Sequence, residues 1–234
     1  MERGFRLSPT GGTRQRTMAE TAAAELHRMI MSGELPAGTH LRLADLTATL
    51  DMSAMPVREA LRRLEALGLV EIIPHRGAWV RDVSLDDLAD THQTRLALEA
   101  LAIRTAAERF TAHDAETARQ ALLDHAKLAG ADDPLPARQA HTEFHFALYR
   151  AGGSRWLLRA IEPVWENSER YRFATRPTPE RLARIRAEHQ AILDACVAND
   201  PDAAVAALTR HLETAMRRIR ESMPARLRHA AEQP

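Results

Sequence analysis

Residues 41–80 read LRLADLTATLDMSAMPVREALRRLEALGLVEIIPHRGAWV. Leu43, Leu46 and Leu50 recur at helical spacing, which predicts a short helix over residues 43–50 with one apolar face. Asp51-Met52-Ser53 breaks the pattern. Ser53 is a natural N-cap, and Pro56 stands in the first turn of a second helix, where its missing N–H costs little. Val57, Leu61, Leu64 and Leu67 give that helix its apolar face, and Gly68 stops it. Residues 69–73 and 78–80 then read as two strands around the turn Pro74-His75-Arg76-Gly77.

Two short helices joined by a tight turn form a helix-turn-helix, whose second helix can enter the major groove of DNA. Arg58, Arg62 and Arg63 lie off its Leu stripe, and a guanidinium pairs bidentately with guanine or phosphate. The hairpin tip adds His75, Arg76 and Gly77, a cation beside a glycine that can press close to a phosphate or into a minor groove. The other reading of this pattern is a winged domain whose helix and hairpin are merely solvated or serve protein contacts.

With Ser32-Gly33-Glu34-Leu35-Pro36-Ala37-Gly38-Thr39 before it, this stretch resembles the winged-helix reading head of the GntR family of bacterial transcription regulators. The resemblance implies a double-stranded DNA operator contacted by Arg42, Ser53, Met55, Pro56, Arg58, Arg62, His75, Arg76 and Gly77. There are departures. The family often has Ser-Arg-Thr-Pro where this chain has Ser53-Ala54-Met55-Pro56, so an arginine that reads bases in relatives is Ala54. A polar or charged residue is common where Ala44 stands. The operator sequence therefore does not carry over from relatives.

At 234 residues the chain is one large or two modest domains, and its 45% apolar content is ordinary for a globular protein. Formal net charge is zero, and residues 14–82 hold nine Arg against nine acidic residues. DNA binding would need a locally basic face, not a basic total. The single Cys196 excludes an internal disulfide and fits a reducing, cytoplasmic setting. There is no signal peptide and no apolar run of membrane-spanning length. Residues 1–16 read as a flexible tail, 17–82 as the winged head with a first helix over 17–32, and 224–234 as a polar tail.

Residues 84–223 read as helix throughout, over 85–110, 114–129, 135–151, 154–174, 179–198 and 201–223. Ser84-Leu85-Asp86-Asp87 is a capping-box pattern, and Thr178-Pro179 and Asp200-Pro201 are each an N-cap followed by Pro. Gly152-Gly153 and Arg176-Pro177 are breaks. Six such helices predict an antiparallel bundle. The fold class expected is mainly α, a winged helix-turn-helix followed by an all-helical bundle. This layout resembles the FadR-type subfamily with its FCD effector domain. A homodimer is expected, because the bundle has a wide apolar supply and one head contacts too few base pairs, whereas two would read a pseudo-palindrome.

His141 and His145 are four residues apart and share one helix face, while His189 and His211 lie on two later helices. Helices of a bundle can project such side chains into one interior site, and imidazole binds late transition metals. With eleven His in the chain, ordinary surface or core histidines are the competing reading. Metal-binding FCD domains resemble this pattern, with an Asp and a His four apart and two later His. That implies a metal on His141, His145, His189 and His211, with His141 where the Asp usually stands. An all-His shell carries the ion's full +2 and favours Zn²⁺ or Ni²⁺. Arg95, in Thr94-Arg95-Leu96-Ala97-Leu98-Glu99, resembles the family's Arg that faces a small carboxylate effector; otherwise it makes a surface pair with Glu99. Tyr149, Trp165, Asn167 and Arg170 are candidate lining residues of the same cavity.

Enzyme readings meet specific obstacles. His141-Thr142-Glu143 matches the H-x-E of zinc deaminases, but one cysteine cannot supply P-C-x-x-C. HExxH needs Glu where Thr142 stands, and Glu143 lies about 200° around the helix from His141. The expectation is a DNA-binding repressor, not an enzyme, whose operator binding is controlled by a small carboxylate at the metal site of the helical domain; the alternatives are a helical metal-dependent enzyme or an interaction module with a vestigial winged head.

Overall fold

The computed structural model describes residues 16–131, 133–171 and 178–223. The expected tail over 1–16 apart from its last residue, the tail over 224–234, the break at 176–177 and the end of the helix drawn to 174 lie outside these residues. The chain begins with α1 (Met18–Ser32), opened by a reciprocal capping box between Thr17 and Glu20 and closed by left-handed Gly33. Then follow β1 (His40–Leu41), α2 (Leu43–Leu50), α3 (Ala54–Ala66), β2 (Val70–Ile73) and β3 (Gly77–Val80). Ala22, Leu26 and Ile30 of α1 meet Leu46 of α2, Val57, Leu61 and Leu64 of α3, and Val70 and Val80 of the sheet in one core.

The wing differs from the two-stranded hairpin expected from sequence. β1 adds a third strand, giving the antiparallel order β1-β3-β2. Two residues are too few to show a period-2 pattern, and only the pairing of His40 with Trp79 and of Leu41 with Ala78 makes the strand. Ser53 does stand at the N-cap of α3, but its side chain makes no capping hydrogen bond.

Among the described residues six helices follow: α4 (Leu85–Ala107), α5 (Ala112–Leu128), α6 (Leu135–Ala151), α7 (Arg155–Glu169), α8 (Pro179–Val197) and α9 (Pro201–Ser222). α4 ends three residues before the expected 110, and α5 starts at 112 because Thr111 and Asp114 form a capping box. At Ser84 only half of the expected box forms: the hydroxyl accepts from Asp87 N, while the Asp87 carboxylate accepts from Tyr171 and Asn167. Thr178 and Asp200 cap α8 and α9 as their sequence suggests. α5 packs on α6 and α8, and α4 on α6, α7 and α9. Ile103, Phe144, Leu148, Ile161, Trp165, Ile192 and Leu208 fill the interior.

Head and bundle are joined through α7 and the residues that follow it. Arg170 donates to the carbonyls of Arg81 and Asp82 in the linker. Tyr171 donates to Asp87 (2.6 Å), and Asn167 bonds Asp87 and Thr91 at the start of α4. Glu166 meets His27 of α1 at 2.8 Å. Among the described residues no helix is long and apolar enough to cross a membrane.

Candidate metal centre and nucleic-acid interface

The i,i+4 spacing of His141 and His145 turns both rings off one face of α6, and α8 and α9 bring His189 and His211 to the same point. All four are buried, at most 4% exposed. Each offers a nitrogen within 4.8 Å of the others'. His145 Nε2 and His189 Nε2 are 3.2 Å apart. Two imidazole nitrogens this close either share an N–H···N hydrogen bond between neutral rings or both face one metal ion. With metal–nitrogen bonds of about 2.1 Å, neighbouring ligand atoms stand roughly 3.0–3.4 Å apart, so the spacing fits a shared ion.

The surrounding hydrogen bonds set which nitrogen faces inward. Tyr149 donates its hydroxyl proton to Glu99 Oε2 at 2.5 Å, so it accepts from His145 Nδ1 at 3.2 Å. That leaves the lone pair of His145 on Nε2. His211 Nδ1 lies 2.9 Å from Glu188 Oε2, and Arg218 holds the other Glu188 oxygen at 2.6 Å. Carboxylates behind ligating imidazoles fix the tautomer and ring orientation in this way. Burial alone would raise the Glu188 carboxyl, but the bonds from His211 and Arg218 hold it below the usual range.

Arg95 lies against this cluster, 4% exposed. Its Nε and one terminal nitrogen grip Glu99 at 2.5 and 3.3 Å, and its other terminal nitrogen donates to Ser168 at 2.7 Å. The pair with Glu99 is therefore real but buried, not the surface contact that sequence spacing suggested. Burial works against the guanidinium charge, yet Glu99 raises its pKa on balance. Burial and the same carboxylate push the Tyr149 phenol well above its usual range. Trp165 covers the cluster: its ring stacks on His141 at 5.5 Å and carries the Arg95 guanidinium at 4.5 Å. Its indole N–H donates to Thr142.

Of the four candidate lining residues, Tyr149 and Trp165 reach the cluster. Asn167 and Arg170 instead hold Asp87 and the linker. Glu99, Ser168, Glu188 and Arg218 were missed by sequence reasoning. Glu188 adjoins His189, and Glu99 belongs to the motif quoted for Arg95, so both had a local signal; Ser168 and Arg218 had none. Glu143 points away, paired with Arg150 at 3.1 Å, as its helical phase predicts.

In the head, Arg42, Ser53, Met55, Arg58, Arg62, His75 and Arg76 are exposed, and Pro56 is half-buried. Arg62 lies 4.0 Å from Glu59, a loose surface pair. Gly77 has φ +121, and a Cβ there would meet His40 Nε2 at 2.7 Å, so the wing requires glycine whatever it touches. Ala44 and Ala54 are exposed too, leaving those two positions without a polar group.

Residues 18–80 match the bacterial regulatory proteins of the gntR family, and residues 90–214 match the FCD domain. The chain belongs to the GntR family. A probable D-xylose utilization operon transcriptional repressor of Paenarthrobacter nicotinovorans is 35% identical over 86% of this regulator and 89% of its own length. The HTH-type transcriptional regulator BphR of Paraburkholderia xenovorans (strain LB400) is 31% identical over 92% and 90%. The fold of this regulator is shared with E. coli McbR/YncC, with a TM-score of 0.77 at 22% identity, covering 88% of this chain and 99% of that one. A GntR head joined to an FCD domain, with relatives of this kind, makes the protein a transcriptional regulator and not an enzyme.

Proposed function

We propose that the protein is a cytoplasmic, homodimeric repressor whose hold on a pseudo-palindromic operator is controlled by a divalent transition metal and a small carboxylate in its helical domain. Residues 17–82 form the reading unit and 84–223 the sensing unit. The observation that carries the reading is the convergence of four buried imidazoles, two of them oriented from behind by Glu188 and Tyr149. Neutral nitrogen donors suit Zn²⁺ or Ni²⁺ better than Mn²⁺ or Mg²⁺. A bound ion would supply a positive centre to which a carboxylate can attach. Arg95, held in place by Glu99 and Ser168, supplies the second anchor for the effector's carboxylate.

α7 is suited to carry the signal. Trp165 and Ser168 touch Arg95 from one side of it, while Glu166 and Asn167, with Arg170 just beyond, hold the head, α4 and the linker. A change at Arg95 thus reaches the linker through one helix and biases the spacing of two heads. Leu101 and Trp156, at 54% and 79% exposed, supply apolar surface for a partner chain.

Untagged protein purified without chelator should carry about one transition-metal ion per chain, and His189→Ala should remove it. Retarded migration of the DNA upstream of the chain's own gene, altered by removing the ion, is the expected functional result. Metal-free protein that still binds that DNA identically would defeat the sensing role, and no DNA binding at all would defeat the repressor reading.

A further inference from the structure

The outward stripe of α3 begins with an apolar residue. Met55 is 78% exposed, the most exposed large apolar side chain among the described residues of the head. At about 100° per residue it stands roughly 180° around α3 from buried Leu64 and about 160° from buried Val57. It therefore points directly away from the core that holds the helix. Arg58 and Arg62, three and seven residues on, continue the same stripe, and both are exposed. Glu59 shares that face, but its oxygens are drawn to Arg62 and Arg63 at 4.0 and 3.9 Å. From Ala54 to Val57 the helix carries no polar side chain. Ser53 stands at the N-cap, and Pro56 at the third helical position has no N–H for its hydroxyl to cap. The hydroxyl makes no capping bond and can donate to a phosphate instead. In a helix-turn-helix the N-terminal residues of the second helix reach the base edges of the major groove, and that is the turn that carries Met55.

We propose that Met55 is a specificity-determining residue that reads thymine: its side chain packs on the C5-methyl group of a thymine in the major groove, so each half-site of the operator holds a thymine selected through that methyl. This rests on the DNA-binding reading above and names the base that the first turn of α3 selects. The chemistry of the side chain restricts the choice. Methionine has no N–H or O–H, and its sulfur is only a weak acceptor. The major-groove edges of guanine, adenine and cytosine offer donors and acceptors, which an apolar side chain pressed against them would leave unpaired. Thymine alone adds a methyl group. The three rotatable bonds of methionine let its end settle on that methyl without moving the helix. Arg58 and Arg62, on the same stripe, supply the guanidinium groups for guanine or phosphate beyond it.

The probe is a duplex that full-length wild type selects from a randomised pool. Each thymine of a half-site is replaced in turn by uracil, which lacks only the methyl and keeps the O4 acceptor. Affinities of wild type and Met55→Ala are measured by fluorescence anisotropy at one salt concentration. Met55 lies outside the core, and matched unfolding midpoints establish that the variant folds. At one thymine of the half-site, uracil should weaken binding by wild type about fourfold, the value of one buried methyl group. The same replacement should cost Met55→Ala less than it costs wild type, because the partner of the methyl is gone. A selected half-site without thymine, a wild type that loses less than about twofold at every thymine, or a Met55→Ala variant that loses as much as wild type at the same thymine, overturns the reading of thymine by Met55 and leaves DNA binding standing. Wild type that selects no duplex from the pool overturns the DNA-binding reading itself and this proposal with it.

Discussion

His27 on the first helix of the head and Glu166 on α7 meet at 2.8 Å, one residue along from the indole that covers the histidine cluster. The contact ties the reading head to the helix that also carries Trp165 and Ser168. Both side chains are partly exposed, so its contribution to stability is below about 1 kcal/mol. Glu166→Gln should leave the unfolding midpoint nearly unchanged. Hydrogen exchange of residues 18–32 should slow on adding Zn²⁺ to wild type and should respond less in the variant. An equal response in both proteins would remove this contact from the signalling route.

Arg58→Ala and Arg76→Ala should each weaken operator binding. If Arg58 reads a base, the loss should be about 1–3 kcal/mol and preference should relax at one position. If it holds phosphate, the loss should be uniform across sequences and the salt slope should fall by about one. Fluorescence anisotropy at several salt concentrations separates the two. Ala54→Arg, placing a guanidinium on an exposed position of α3, should raise affinity or alter the preferred operator.

Arg95 and Glu99 are a buried pair, and removing one partner strands the other's charge. Arg95→Ala should destabilise the protein by about 3–5 kcal/mol, read from the denaturant midpoint. The double variant Arg95→Met, Glu99→Leu should recover most of that loss, because no uncompensated charge remains. A single variant as stable as wild type would show that the pair is not desolvated in solution.

Sedimentation at micromolar concentration should give the mass of two 26.1 kDa chains. One head contacts few base pairs, and a two-fold dimer doubles the contact while fixing the half-site spacing. A monomer, with and without Zn²⁺, would remove the basis for a palindromic operator.

Much of the fold was legible along the chain because its signals are local. The Leu stripes of α2 and α3, the Thr178-Pro179 and Asp200-Pro201 starts and the Gly68 stop each act within one or two turns, and each element formed within a few residues of where its sequence placed it. The i,i+4 pair His141 and His145 was legible for the same reason: helical periodicity alone puts both on one face. His189 and His211 needed the family resemblance, since nothing in their own helices points to α6.

The tertiary structure decided the rest. It gave Leu41 a strand partner in Ala78, buried the Arg95–Glu99 pair under Trp165, and turned Asn167 and Arg170 toward the linker instead of the cluster. It also brought His125 to the edge of the cluster from α5. A helix's sequence fixes which side chains share a face, because that follows from 3.6 residues per turn. Which faces meet depends on how separate helices cross and pack, and those contacts join residues such as Arg95 and Ser168 that lie 73 positions apart in the chain.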